Sequence, residues 1–306
     1  MTRFDAVGFG ALNVDKLFKV NCVVGPDCEG FVMGFEEACG GSAANTMVGL
    51  ARLGCRTGFI GKVADDKEGQ LLTRHFQEEG VDAKGIVTVK AGRSGTVMGF
   101  IDGKGNRALF VDPGVNDTIM PEEIKKEYVR QTEFLHLASF VGQDSFQTQT
   151  KLVEALPRNV KVSFDPGEIY AGKGLKALEP ILNRTYVFMP SARELQMLIG
   201  KADYKENAEF VIGKGVRIVA VKMGNKGCYV TDGKESHRIE AFKVKVVDTT
   251  GAGDAFCAGF LYGLIKKKNL AECGKIGNFV ASRCVMKMGA RTGLPKLEDL
   301  VEHKLD

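Results

Sequence analysis

A chain of 306 residues with 44% hydrophobic content can build one large domain, or one domain with a smaller appendage. Its 42 basic and 38 acidic residues leave a net charge of +4. The one lysine run, Lys266-Lys267-Lys268, ends a predicted helix where cations suit the dipole, so no nucleic-acid partner is expected. No stretch approaches the ~18 apolar residues of a membrane span, and Arg3-Phe4-Asp5 opens no targeting signal. The eight cysteines are scattered without a C-x-x-C pair and read as free thiols of a cytoplasmic protein. The four histidines form no zinc pattern.

Ala6-Val7-Gly8-Phe9 reads as a buried strand. Residues 12–38 and 92–112 carry short alternating runs punctuated by glycine. The second contains Asp102-Gly103-Lys104-Gly105-Asn106, a hairpin signal. Both regions are expected to lie outside the main sheet, as a small β-sheet lid. Ser42 to Leu53 is helical, Thr57 to Val63 a strand, and Lys67 to Glu79 an amphipathic helix. Further strands are expected at 134–137, 160–164, 186–188 and 217–221, with helices near 145–156, 173–182, 191–199 and 205–213. A hairpin follows Gly224 and turns near Asp232-Gly233, a strand ends at Val247, and helices occupy about 252–267 and 270–286. Such alternation implies an α/β fold of three αβα layers, with a mostly parallel central sheet covered on both faces.

Gly8-Phe9-Gly10-Ala11-Leu12-Asn13 imitates the start of a dinucleotide fingerprint, but Asn13 stands where close helix packing needs a small residue. The segment after it also reads as strand. There is no G-x-x-x-x-G-K-[ST] and no protein-kinase signature set.

The strongest chemical signal is Val247-Asp248-Thr249-Thr250-Gly251-Ala252-Gly253-Asp254-Ala255-Phe256-Cys257-Ala258-Gly259-Phe260. A turn of small residues leads into a helix whose N-terminus suits anionic charge, such as a phosphoryl group in flight. Asp254, in the first helical turn, can accept a proton from an attacking hydroxyl. A plain glycine turn with a dipole-stabilised aspartate is the competing reading, and Asp248, Thr249, Thr250 and Gly259 extend the pattern beyond it.

This segment resembles the C-terminal signature of the ribokinase-like (PfkB) carbohydrate kinase family. Gly40-Gly41-Ser42-Ala43-Ala44-Asn45-Thr46, with Gly49 and Gly54, resembles its N-terminal signature, roughly 200 residues earlier. The resemblance covers nearly the whole chain, including the lid regions, and implies a ribokinase-like fold in a single kinase domain over 1–306. It implies Asp254 as base and the amides of Gly251, Ala252 and Gly253 as anion hole. Asn13 and Asp15 resemble the lid-strand pair that holds sugar hydroxyls, with Gly41, Ser42 and Asn45 closing on the other side. Val221-Lys222-Met223-Gly224-Asn225-Lys226-Gly227 resembles the nucleotide loop, giving Lys222, Gly224 and Gly227 as contacts, with Asn278 beside them. Met189-Pro190-Ser191-Ala192-Arg193-Glu194 stands where the family has N-x-x-E. Glu194 is then expected to orient Mg2+ through water, and Ser191 replaces the nucleotide-binding asparagine, losing the amide's reach. A helix-capping pair would also explain Ser191 and Glu194. Some relatives bind a monovalent cation such as K+, and Asp248, Thr250 and Gly289 match those positions.

The resemblance implies transfer of the γ-phosphoryl group of ATP to a primary hydroxyl of a small sugar. A nucleoside (adenosine-type) kinase is the alternative, with Phe18, Phe31, Phe35 and Phe100 able to stack on a base and Asp165-Pro166-Gly167 nearby. The same aromatics could instead seal a homodimer through the lid. Ala138-Ser139-Phe140 lacks the acidic residue of some ribose-specific relatives. A binding protein that keeps the fold without catalysis is a third class, opposed by the intact Gly251-Ala252-Gly253-Asp254.

Overall fold

The computed structural model describes residues 3–104 and 106–306. The chain begins β1 (Phe4–Phe9), β2 (Asn13–Val20), β3 (Val32–Gly40), α1 (Ser42–Arg52), β4 (Thr57–Ala64), α2 (Lys67–Glu78), β5 (Asp82–Val89), β6 (Gly95–Asp102) and β7 (Arg107–Asp112). It continues α3 (Lys126–Arg130), β8 (Thr132–Leu137), α4 (Gln143–Glu154), β9 (Lys161–Phe164), α5 (Gly167–Ala171), α6 (Leu175–Leu182), β10 (Thr185–Phe188), α7 (Ala192–Ile199) and α8 (Tyr204–Gly213). Last come β11 (Ile218–Lys222), β12 (Cys228–Thr231), β13 (Ser236–Ile239), α9 (Ala252–Ile265), α10 (Leu270–Cys284) and α11 (Leu297–Glu302).

One sheet orders its strands β13-β12-β11-β10-β9-β8-β1-β4-β5. From β5 to β11 every neighbouring pair is parallel, and β12 and β13 add an antiparallel edge. A strand buried on both faces reads as an unbroken apolar or small-residue run, and all eight residues of β4 are buried. Alternation sends successive side chains to opposite faces. On β11, Ile218 and Ala220 join the core beneath α1, α9 and α10, while Val219 and Val221 join the core beneath α4, α6, α7 and α8. Two cores, one on each face, give the three layers read from the sequence. Each fully buried Phe or Leu in them contributes about 1.5–3 kcal/mol.

The second sheet, β3-β2-β6-β7, is built from the two segments expected to form the lid. β2 follows β1 after three residues, so this sheet starts from the carboxyl end of β1. β6 and β7 pair as the expected hairpin; Gly105 of its turn lies outside the described residues.

Some local expectations differ. β5 went unread, its alternation weakened by Lys84 and Gly85. No strand ends at Val247: residues 240–247 are irregular, and Val247 N donates to Val285 O at the end of α10 instead of to a neighbouring strand. The helix expected over 173–182 begins only at Leu175, because Gly174 stands before it at φ 81°, and a separate short α5 precedes it. All eight cysteines are unpaired. Among the described residues no helix is long and apolar enough to cross a membrane.

Candidate active site

Two backbone turns bring the site together. Gly251 caps α9 at φ 75°, and a side chain there would meet Ala290 Cβ at 2.5 Å. Gly41 caps α1 at φ 104°, where a Cβ would stand 2.3 Å from the carbonyl oxygen of Ala11. Only glycine fits either place. No side chain caps α9, so its first-turn N–H groups face outward, as an anion site requires. Of the three expected amides, Ala252 N already donates to Thr249 O at 3.2 Å.

The α9 and α1 turns meet at Asp254. Ser42 Oγ donates to its Oδ1 at 2.6 Å, and Asn45 Nδ2 to its Oδ2 at 2.8 Å. Thr46 Oγ1 donates to its backbone carbonyl at 3.3 Å. Burial nevertheless dominates and pushes the carboxyl up to about 6, against the two donors and Lys222, with Asp165 adding to the rise. That value makes a carboxylate basic enough to take a proton, yet still ionised at neutral pH.

Asp15, on β2, faces the same space. Burial lifts it to about 6 as well, with Arg291 opposing and Asp254 reinforcing. Asn13 lies two residues earlier on the same face of β2. Its Oδ1 accepts from Asn116 Nδ2 at 3.0 Å, and Asn116 also grips both Leu12 N and Leu12 O, at 2.9 and 2.7 Å. Asn116 was not singled out from the sequence; its only signal was the turn Pro113-Gly114 before it. Arg291 was missed too. It is 6% exposed, and its Nε donates to Asn45 Oδ1 at 2.7 Å.

The opposite wall is built where β9, β10 and β11 end. Lys222 Nζ pairs with Asp165 Oδ2 at 2.5 Å. A Cβ on Gly253 would lie 3.3 Å from the same ammonium, so Lys222 stands beside the α9 N-terminus. Burial alone would pull the lysine down, but Asp165, with Cys257 and Glu194, holds it well above its ordinary value. Ser191 bridges to Lys222 across the strand ends and forms a capping box with Glu194: Ser191 N donates to Glu194 Oε2 at 2.7 Å, and Glu194 N to Ser191 Oγ at 3.2 Å. Glu194 is raised by burial and lowered by Lys222. Gly224 and Gly227 close the turn from β11 into β12. Asn278 stands apart from that wall's side chains: its amide donates to Ile239 O and Glu240 O, both at 3.1 Å, and tethers the end of β13.

Asp248 gathers the remaining expected residues. It accepts from Thr250 N and Thr250 Oγ1 at 3.0 and 2.8 Å, and from Gly289 N at 2.8 Å. Phe18, Phe35 and Phe100 pair across the lid with centroids 5.1 and 5.2 Å apart. Their register puts them on the lid face opposite Asn13 and Asp15. Phe31 is 72% exposed just before β3.

A carboxylate of raised proton affinity beside an uncapped helix start, with a lysine on its far side, is an arrangement that suits phosphoryl transfer. The model of the pfkB family carbohydrate kinases matches residues 10–297. The chain belongs to that family. It is a sugar kinase, a phosphotransferase acting on a hydroxyl group, and kinases of this family use ATP with Mg2+. An uncharacterized sugar kinase of Archaeoglobus fulgidus is 49% identical over 82% of this chain and 100% of its own length. An ATP-dependent ribose-1-phosphate kinase of Halopiger xanaduensis is 32% identical over 92% of each chain. The crystal structure of ribokinase from Thermotoga maritima superposes with a TM-score of 0.88 at 25% identity, covering 99% of this chain and 100% of that one.

The donor set fits Mg2+ that arrives with nucleotide phosphates. Among the described residues no cluster of three or more His, Cys, Asp or Glu side chains could cage a metal alone, whereas Glu194 and Asp165 flank Lys222. Mg2+ is ordinarily held by one or two carboxylates, waters and the phosphates themselves.

Proposed function

We propose that this kinase transfers the γ-phosphoryl group of ATP to a primary hydroxyl of a small sugar, with Asp254 as the general base. The observation that carries the reading is the Asp254 carboxylate, fixed by Ser42 and Asn45 at 2.6 and 2.8 Å at the start of the uncapped helix α9. Its two donors orient it without neutralising it, so it can take the hydroxyl proton as the oxygen attacks phosphorus. Asn13 and Asp15 bind the neighbouring hydroxyls from the lid side, and the Gly40-Gly41 turn closes the other side. The amides of Gly251 and Gly253 and the Lys222 ammonium receive the negative charge of the group in flight. Ser191, Gly224 and Gly227 line the nucleotide side, and Asn278 acts on it through the end of β13. Glu194 would hold Mg2+ through water, and the ion, when bound, would neutralise charge on the phosphates. Asp248, Thr250 and Gly289 enclose a loop suited to a monovalent cation such as K+.

The relatives' names set the acceptor panel: ribose, ribose 1-phosphate and 5-dehydro-2-deoxygluconate, with adenosine to test the nucleoside alternative. Three of the four aromatics no longer support that alternative, because Phe18, Phe35 and Phe100 face away from Asp15, which leaves Phe31 alone to stack on a base. ADP formation from ATP and Mg2+ should depend on one of the sugars. If no member of the panel stimulates turnover, or adenosine alone does, the sugar assignment fails.

A further inference from the structure

Arg291 has no part in the roles assigned so far, yet it is buried at the back of the site. Its guanidinium spans three elements. Nε donates to Asn45 Oδ1 on α1 at 2.7 Å, Nη2 to the Gly40 carbonyl at the end of β3 at 3.1 Å, and Nη1 approaches His75 Nδ1 on α2 at 3.2 Å. Its own carbonyl accepts from Arg52 Nη1 at 2.6 Å, and Arg52 is in turn locked to Glu79. An arginine so restrained offers its fork in one orientation.

A primary amide has one accepting and one donating end. With Asn45 Oδ1 held by a cation, Nδ2 can point only the other way, and there it meets Asp254 Oδ2 at 2.8 Å. Turned over, Asn45 would set its NH2 against a guanidinium N–H and its carbonyl against a carboxylate, two repulsive contacts in a buried place. We propose that Arg291 is a positioning residue for phosphoryl transfer: it fixes the amide of Asn45 and the Gly40-Gly41 turn, and thereby orients the Asp254 carboxylate toward the acceptor hydroxyl. The inference rests on Asp254 serving as base.

The groups facing Asp254 are Ser42 and Asn45 on α1, Asp165 after β9, Lys222 ending β11, Asp15 on β2, Arg291 itself, and the thiols of Cys257 and Cys284. Loss of Arg291 removes a cation and frees the one amide donor, so both changes move the Asp254 carboxyl upward.

The test is a cycle of R291M, N45A and R291M/N45A, assayed with ATP, Mg2+ and D-ribose or whichever panel acceptor turns over fastest. R291M should lower kcat by about 10-fold or more and shift the acidic limb of the kcat profile to higher pH. The double variant should fall little below the worse single one, since Arg291 acts through Asn45. R291K, which can reach Asn45 but cannot serve Asn45 and Gly40 together, should recover part of the loss. In a second arm, Asp254 is titrated by NMR in [13C]Asp-labelled protein without substrate, and its midpoint should rise in R291M. Fully additive losses, or a folded R291M with an unmoved limb and midpoint, overturn the proposal. Should R291M not fold, the cycle is run with R291K and N45A, where losses that add fully overturn the proposal. If the Asp254 reading itself is wrong, D254N stays active, while the NMR midpoint still reports whether Arg291 and Asn45 are coupled.

Discussion

Asp254→Asn should make this enzyme nearly inactive and, above about pH 6, more stable. The substitution keeps the volume and removes the charge. Burial raises the carboxyl from 3.8 to about 6, so the folded protein holds a proton over a range where the unfolded chain has released it. A raised carboxylate contributes its stability below the unfolded value near 3.8 and loses it as pH rises to about 6. Roughly two pK units at about 1.4 kcal/mol each would cost the ionised wild type close to 3 kcal/mol. Asp254 keeps some contact with solvent, and screening reduces this to about 1–2 kcal/mol. The amide loses no bond on replacement. Its Oδ1 can accept from Asn45, and its NH2 can donate to Ser42, whose hydroxyl rotates to accept.

The gain in the D254N variant should therefore be near zero at pH 4, grow to pH 6, and stay at about 1–2 kcal/mol above it, worth roughly 2–5 °C in Tm for a chain of this size. Turnover should fall ~10²-fold or more, with little change in the KM for ATP. Calorimetry from pH 4.5 to 8.5, alongside ADP release with the active acceptor, measures both. A Tm difference that does not depend on pH would refute the buried-carboxylate argument. Turnover within 10-fold of wild type would refute the base.

Lys222→Met leaves Asp165, 5% exposed, buried without its cation and should cost about 3–5 kcal/mol in urea unfolding. K222M/D165N should recover most of that stability but not the turnover. Ser42→Ala deletes the donor to Asp254 Oδ1, so the acidic limb of kcat/KM should move to higher pH and kcat fall several-fold. Ser191→Asn restores the amide that the family carries and should lower the KM for ATP, read from initial rates. Phe35 and Phe110 are 53% and 59% exposed on the lid face turned away from the site. If that face pairs two copies, F35D should convert a dimer to a monomer by light scattering, and a monomeric wild type would end the idea.

Much of this fold could be read from the chain because parallel strands, buried on both faces, leave unbroken apolar runs between amphipathic helices. β5 escaped because an edge strand carries one polar face, and Lys84-Gly85 interrupts its pattern. The supposed strand before Asp248 failed for a related reason. Lys243-Val244-Lys245-Val246-Val247 alternates as a strand would, but Val246 and Val247 are half-exposed beside the end of α10, with no strand to pair. In the site, backbone demands were legible: Gly41 and Gly251 stand where no other residue fits. Pairings made by long side chains were not. Arg291 reaches Asn45 across 246 residues of sequence, and nothing local to Ala290-Arg291-Thr292 marks its guanidinium as buried.

The two walls of the site also separate charges that would spoil one another. A base near an unpaired lysine would be pulled toward the ordinary carboxylate range and become too weak to accept a proton. Here the ammonium of Lys222 is held by Asp165 at 2.5 Å, while Asp254 receives only neutral donors, Ser42 and Asn45. The second cation, Arg291, meets Asp254 through the Asn45 amide and so passes on orientation with little neutralisation. Asp254 therefore keeps the raised proton affinity that burial gives it.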